Sequence, residues 1–282
     1  MPLWANMSLA IIVALAVALW AAQWFQSRAV AATIAGLEAR AQQKPSQLQA
    51  TQSLEELPTP VLRYLNHALP PDRRGMKLVR YEQMGSLRTD PMRDNWMKFI
   101  ASQVISPGTT EFLWTARASI ATLLHVQVRD SLVEGIGSGQ VALFSAIPVA
   151  AAAGSVEMNS GSLHRFLAEA VWYPSALLPS SQLIWEPLDD DRAMATLADG
   201  ATTVTLEFRF NSENEVTGIY TPGRWGSFDG TYKQVAWEGK FRHYSRRQGV
   251  LVPSEGEVGW YLEREWRSVW RGKVTSVSME FQ

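Results

Sequence analysis

Hydrophobic and polar positions follow three different rules along the chain. From Leu9 to Phe25 the segment is apolar apart from Gln23, and no Lys, Arg, Asp or Glu precedes Arg28. At about 1.5 Å per residue, roughly 17 residues just cross a bilayer core of about 30 Å. Trp4, Trp20 and Trp24 lie near its two ends, where an aromatic belt would sit. The pattern predicts an N-terminal transmembrane anchor over residues 1–27, and hence a single-pass protein of the cell membrane. The competing reading is a cleaved signal peptide. The segment lacks a basic n-region, and the small-x-small sites Ala16-Val17-Ala18 and Ala29-Val30-Ala31 truncate the apolar run or lie beyond Arg28. The side of the membrane stays open. Arg28, Arg40 and Lys44, diluted by Glu38, favour a cytoplasmic domain.

Residues 28–53 are rich in Ala and Gln and predict a helical stalk and linker, with Pro45 ending the helix. Over 54–75, Val61, Leu62, Tyr64, Leu65, Ala68 and Leu69 have the spacing of a short amphipathic packing helix, stopped by Pro70-Pro71.

From about Leu78 the period becomes two. Val204, Leu206, Phe208 and Phe210 share one face, and Thr203, Thr205, Glu207 and Arg209 the other. Phe112, Trp114, Ala116 and Ala118 alternate with Glu111, Leu113, Thr115 and Arg117. Leu124, Val126 and Val128 do the same, as do Val258, Trp260 and Leu262, and then Thr275, Val277, Met279 and Phe281. One helix interrupts these strands over 161–178: Leu163, Phe166, Leu167, Ala170 and Val171 mark its buried stripe, with Ser160 or Ser162 as N-cap. Residues 76–282 are therefore expected to form one mainly-β domain with few helices (α+β). Its form would be an antiparallel open barrel or strongly curved sheet covered by a helix.

Composition narrows the function. With 46% hydrophobic and 19% charged residues in 282, the chain can bury one sizeable core. A net charge of −1 removes the basic footprint of a nucleic-acid binder. The absence of cysteine excludes disulfides, thiolate metal sites and cysteine nucleophiles. Twelve tryptophans suit a β-core or an amphipathic groove wall.

Little catalytic chemistry is legible. His67, His125, His164 and His243 are far apart and have no metal-ligand spacing, so no metal and no cofactor are expected. Gly135-Ile136-Gly137-Ser138-Gly139 lacks the βα context and following Lys of a phosphate loop and reads as a turn or bulge. Asp189-Asp190-Asp191 reads as a solvated turn. Glu169 carries more, because it stands four residues after Arg165 and beside Trp172 and Tyr173. The pair is either a helix-surface ion pair or a polar contact at a site under the helix.

From about Leu54 to Gln282 the residues resemble a bacterial family of uncharacterised proteins, a domain of unknown function. The resemblance rests on Leu57-Pro58 with Val61, Arg63 and Tyr64, on Phe112-Leu113-Trp114-Thr115-Ala116, and on Val128-Arg129-Asp130 before Gly135 and Gly137. It continues through Arg165 to Pro174, Trp185, Trp237 with Gly239 and Phe241, Trp260, and Trp270-Arg271-Gly272. The chain departs at Ala236, where the family often has Pro, and at Leu132, where it often has an aromatic. The strand, helix, strand order also looks like the lipoprotein-carrier (LolA-like) architecture, an incomplete antiparallel barrel whose concave face is covered by helices. The resemblance supplies no catalytic residues, and fold alone does not give function.

Taken together these features point to a membrane-tethered domain that binds an apolar or lipidic ligand on the concave face of the sheet. The candidate contacts are Arg165, Phe166, Glu169, Trp172 and Tyr173 with the strand tryptophans Trp185, Trp237 and Trp260. The alternative is a scaffold or assembly protein with a filled core and a protein partner. A third class is an enzyme using Glu169, Asp130 or His164, which share no recognised spacing.

Overall fold

Five hairpins of this chain turn on two residues that both have positive φ: Glu134-Gly135, Phe144-Ser145, Asp229-Gly230, Gln248-Gly249 and Glu263-Arg264. Such turns match the right-handed twist of the strands they join, so they propagate a twisted antiparallel meander. The computed structural model describes residues 3–43, 52–121 and 124–282. The Lys44-Pro45-Ser46 spacer lies outside the described residues, and so does the side chain of Trp4.

The strands are β1 (Met76–Leu87), β2 (Met97–Ser106), β3 (Glu111–Ala121), β4 (Leu124–Val133), β5 (Ile136–Leu143), β6 (Ile147–Ala153), β7 (Leu183–Pro187), β8 (Arg192–Asp199), β9 (Thr202–Phe210), β10 (Val216–Phe228), β11 (Thr231–Arg247), β12 (Val250–Leu262) and β13 (Glu265–Phe281). They form one antiparallel sheet in the order β6-β5-β4-β3-β2-β1-β13-β12-β11-β10-β9-β8-β7. Every neighbour is a hairpin partner except β1 and β13, which join the two halves through Val79↔Met279 and Leu87↔Trp270. The expected mainly-β open barrel is thus the fold observed, with β6 and β7 as its free edges.

Among the described residues three α-helices complete it. Helix α1 (Leu3–Gln43) is unbroken for 41 residues and is the one helix among the described residues long and apolar enough to cross a membrane. Residues 6–18 are exposed on every side. Its last part is docked: Ala41 packs with Leu78 and Val104, and Gln23 Nε2 donates to Phe144 O at 2.9 Å. Helix α2 (Thr59–Ala68) buries Val61, Tyr64, Leu65 and Ala68 and packs on β8 and β12. Helix α3 (Val156–Glu169) and the 3₁₀ turns Ala170–Trp172 and Pro174–Leu177 carry the chain between the two sheet edges, with α3 packed on β4, β5, β9 and β10.

Three sequence readings need correction. The helix starts at Val156, not residue 161, because Ser155 rather than Ser160 or Ser162 caps it, its side chain accepting from Met158 N at 3.2 Å. Gly161 is tolerated inside the helix because it lies against the β10 backbone at Trp225 O. At the start of β3 both faces are buried, with Glu111 and Leu113 at 1% and 2% exposure; Arg40 of α1 reaches the outer-facing carboxylate. In β13, Thr275 does not share the face of Val277 and Met279, because a register shift opposite Glu82/Gln83 inserts one residue.

Candidate functional site

Under the end of α3 the sheet is not filled. A row of glycines, Gly85, Gly272 and Gly256, runs across the neighbouring strands β1, β13 and β12. A Cβ on Gly256 would stand 2.9 Å from the Trp172 ring, and one on Gly272 would strike the Trp270 ring. The missing side chains let two tryptophan rings, those of Trp172 and Trp270, come close to the backbone. Trp172 is fixed by donating from Nε1 to Pro253 O at 2.7 Å, and Trp114 by donating to Gln83 Oε1 at 2.9 Å. With Trp237 and Trp260, paired across β11 and β12, they surround a cavity of about 240 Å³.

One wall of this cavity is ionic. Arg165 donates from Nη1 to Asp130 Oδ2 and from Nε to Glu169 Oε1, both at 2.8 Å. Its guanidinium lies 4.8 Å from the centre of the Trp114 ring and 5.1 Å from that of Phe112. Glu169 Oε2 also accepts from Gln103 Nε2 at 2.7 Å and from Tyr81 OH at 3.5 Å. Burial opposes the charge on Arg165, but Glu169 and Asp130 together raise its pKa. Burial raises the Asp130 carboxyl against the pull of Arg165 and Arg224. Asp130 keeps 40% of its side-chain surface open because it lines the cavity.

Of the residues read from the sequence, Arg165, Glu169, Trp172, Trp237 and Trp260 meet around this cavity. The other three do not. Tyr173 is fully buried and donates from its hydroxyl to Phe166 O at 2.6 Å. Trp185 donates to Leu177 O at 3.0 Å and packs on Phe208. Phe166 borders a separate cavity of about 350 Å³ between Ala41, Met76 and Ser175, which collects neither the tryptophans nor the paired charges. Sequence reasoning missed Arg224, Trp114 and Trp270 as lining groups. Pro222-Gly223-Arg224-Trp225-Gly226 has the composition of a turn, yet it is the interior of β10, irregular between Thr221 and Arg224. An Arg flanked by Trp within a strand run is the one signal that could have flagged it.

The remaining candidates stay apart. His164 is 5% exposed and its Nδ1 lies 2.9 Å from Ser160 O. Among the described residues, no group of His, Asp and Glu is placed to hold a metal ion. Asp189 pairs with Arg192 at 2.6 Å in the exposed β7–β8 turn.

The arrangement defines a class: an antiparallel half-barrel with a helix over its concave face and a tryptophan-lined cavity between them. The chain belongs to the family of unknown function DUF6544, whose model matches residues 46–272. No curated protein matches it. Among solved structures it is similar to a domain from Vibrio parahaemolyticus named for outer membrane lipoprotein sorting. That domain is 7% identical, with 81% of this chain and 94% of that one covered and a TM-score of 0.41. It is also similar to a LolA superfamily protein from Nitrosomonas europaea, at 8% identity, 79% and 93% coverage and a TM-score of 0.34.

Proposed function

We propose that the chain is a membrane-tethered binding protein that takes an apolar or lipidic ligand into the concave cavity beneath α3. The observation that carries this reading is the cavity itself: five tryptophans, Trp114, Trp172, Trp237, Trp260 and Trp270, around one ion cluster. Apolar walls with a few convergent polar groups are the general form of a small-molecule site. The volume of about 240 Å³ falls just below the usual range of about 300–1,000 Å³. It suits one alkyl chain better than a two-chain lipid.

Two features support tethering and supply from a bilayer. Met7, Leu9, Ile11, Ile12, Val13, Leu15, Val17, Trp20, Trp24 and Phe25 are all exposed on α1, a surface too apolar for water alone. The cavity residues Leu87 and Trp270 pair with each other, and Leu87 with Met97; two residues along the same strand the next row, Gly85, Phe99, Ala118, Val126 and Leu143, crosses β1 to β5. This is the end of the sheet where Gln23 of α1 meets Phe144.

Native mass spectrometry of the full chain purified in detergent tests the reading. A retained apolar molecule, identified by organic extraction, is expected; a protein that carries none and acquires none from added lipid contradicts it. A second reading, a scaffold with a protein partner, is favoured by β6. All its residues are exposed and uncharged along the open sheet edge, which suits strand addition by another chain. Val149→Lys would abolish such an association and leave ligand retention unchanged.

A further inference from the structure

The guanidinium of Arg224 lines the same cavity, yet each of the three carboxylates that border it is paired with another arginine, Asp130 and Glu169 with Arg165 and Glu257 with Arg271. Among the described residues Arg224 forms no ion pair. It donates from Nη2 to Gly161 O at 2.9 Å, and its enclosed Nε has no partner. Trp237 and Trp260 lie against it, with 4.6 and 5.1 Å from the guanidinium carbon to the ring centres. A cation held this way is oriented by its neighbours but not neutralised, and a buried unpaired donor is costly. Burial and the neighbouring Arg165 accordingly lower its pKa to about 10, so it remains charged at neutral pH. Asp130 and Glu169 contribute opposing charge at longer range, but Arg165 engages both. Apart from Glu257, which Arg271 holds at 2.8 Å, the rest of the wall is apolar, including Val258 and Phe241.

We infer that the ligand is a single-chain anionic amphiphile, whose carboxylate or phosphate head pairs with Arg224 while its alkyl chain lies among the tryptophans. This rests on the binding reading above and adds the charge and chain number of the ligand. Arg suits such a head, because its planar fork matches the two oxygens of a carboxylate or phosphate.

Tryptophan quenching tests it on the full chain in phosphatidylcholine nanodiscs, with Trp4, Trp20 and Trp24 replaced by Phe so that only tryptophans outside the apolar segment report, and with 9,10-dibromostearic acid and its uncharged methyl ester as probes. The acid should bind at least about tenfold more tightly than the ester, the scale of one charge-assisted hydrogen bond. Arg224→Gln should bring the acid to the affinity of the ester and leave the ester unchanged, and Arg224→Lys should restore part of the difference. An unbrominated lysophosphatidate that relieves the quenching by the acid assigns the head to a membrane-lipid phosphate; failure to relieve it assigns a free carboxylate, and either outcome keeps the anion at Arg224. Equal binding of acid and ester by the wild type overturns the inference while leaving the apolar reading intact. An acid preference that survives in Arg224→Gln places the anion elsewhere and also overturns it. Quenching by neither probe ends both readings. If Arg224→Gln does not fold, Arg224→Lys, which keeps the charge but loses the planar fork, carries the test: an acid-to-ester ratio equal to that of the wild type overturns the assignment to Arg224.

Discussion

Arg40, near the end of α1, donates from Nε to Glu111 of β3 at 2.9 Å, and the acceptor side chain is only 2% exposed. The helix that carries the apolar segment is therefore joined to the outer face of the sheet by a buried carboxylate. Glu111 keeps Thr109 Oγ1 and Glu134 N as other donors. Arg40→Ala should thus cost about 1–3 kcal/mol, the scale for stripping one partner from a buried charged acceptor. Thermal melts of the solubilised chain should show the loss, together with new proteolysis within residues 28–43. An unchanged melt and unchanged protection would mean that Leu37 and Ala41 hold the helix without the pair.

Gly256→Ala tests whether the glycine row makes room for the cavity wall. The new methyl would meet the Trp172 ring at 2.9 Å, so the ring must shift or the strand must bend, at about 1–3 kcal/mol. A denaturant melt reads the cost, and a change in Trp172 environment should accompany it in near-ultraviolet circular dichroism. A neutral substitution would show that the ring is not seated on the backbone as described.

The two faces of β9 make opposite predictions. Phe208 is fully buried and packs on Trp185 with ring centres 5.1 Å apart, so Phe208→Ala should cost about 3–5 kcal/mol. Thr205 gives up only its hydroxyl contact with Thr196 at 3.2 Å, and Thr205→Ala should cost under about 1 kcal/mol. Equal losses in urea melts would put the wrong face of β9 toward the core.

β9 also shows what the sequence could reveal. Its strict alternation displays a core face because one side of the strand meets only solvent and polar neighbours. At Glu111 and Leu113 the rule fails, since α1, distant in sequence, covers the outer face as well. The helix start is not legible because the first turn after Ser155 carries its apolar residues at Val156 and Met158, without the i, i+3, i+4 spacing, and leaves Val156 exposed. The ion cluster was half visible: Arg165 and Glu169 are helical neighbours, but Asp130 reaches Arg165 only through the curvature of the sheet. Arg224 was hidden by a turn-like composition that the irregular β10 absorbs.

His164 supplies a pH prediction. Burial first, and then Arg224, lower its pKa from 6.5 to about 4. The unfolded chain thus binds the extra proton between those values. Stability present above pH 6.5 should fall as the pH drops toward 4, by roughly 3 kcal/mol in all. Urea melts at pH 7 and pH 5 measure the slope, and His164→Gln should flatten its share. A wild type and variant with the same pH dependence would mean that the imidazole protonates as freely folded as unfolded.

The central claim is that an alkyl chain enters the concave cavity. The most direct measurement is photolabelling of the full chain in nanodiscs with a fatty acid carrying a diazirine on its chain, followed by peptide mapping. Label should appear on Val128 of β4, Trp260 of β12 or Trp270 of β13, all of which line the cavity. Val258→Trp, which fills it, should remove that label while leaving any on α1. Label confined to α1 and the outer surface, or unchanged by Val258→Trp, would contradict the account.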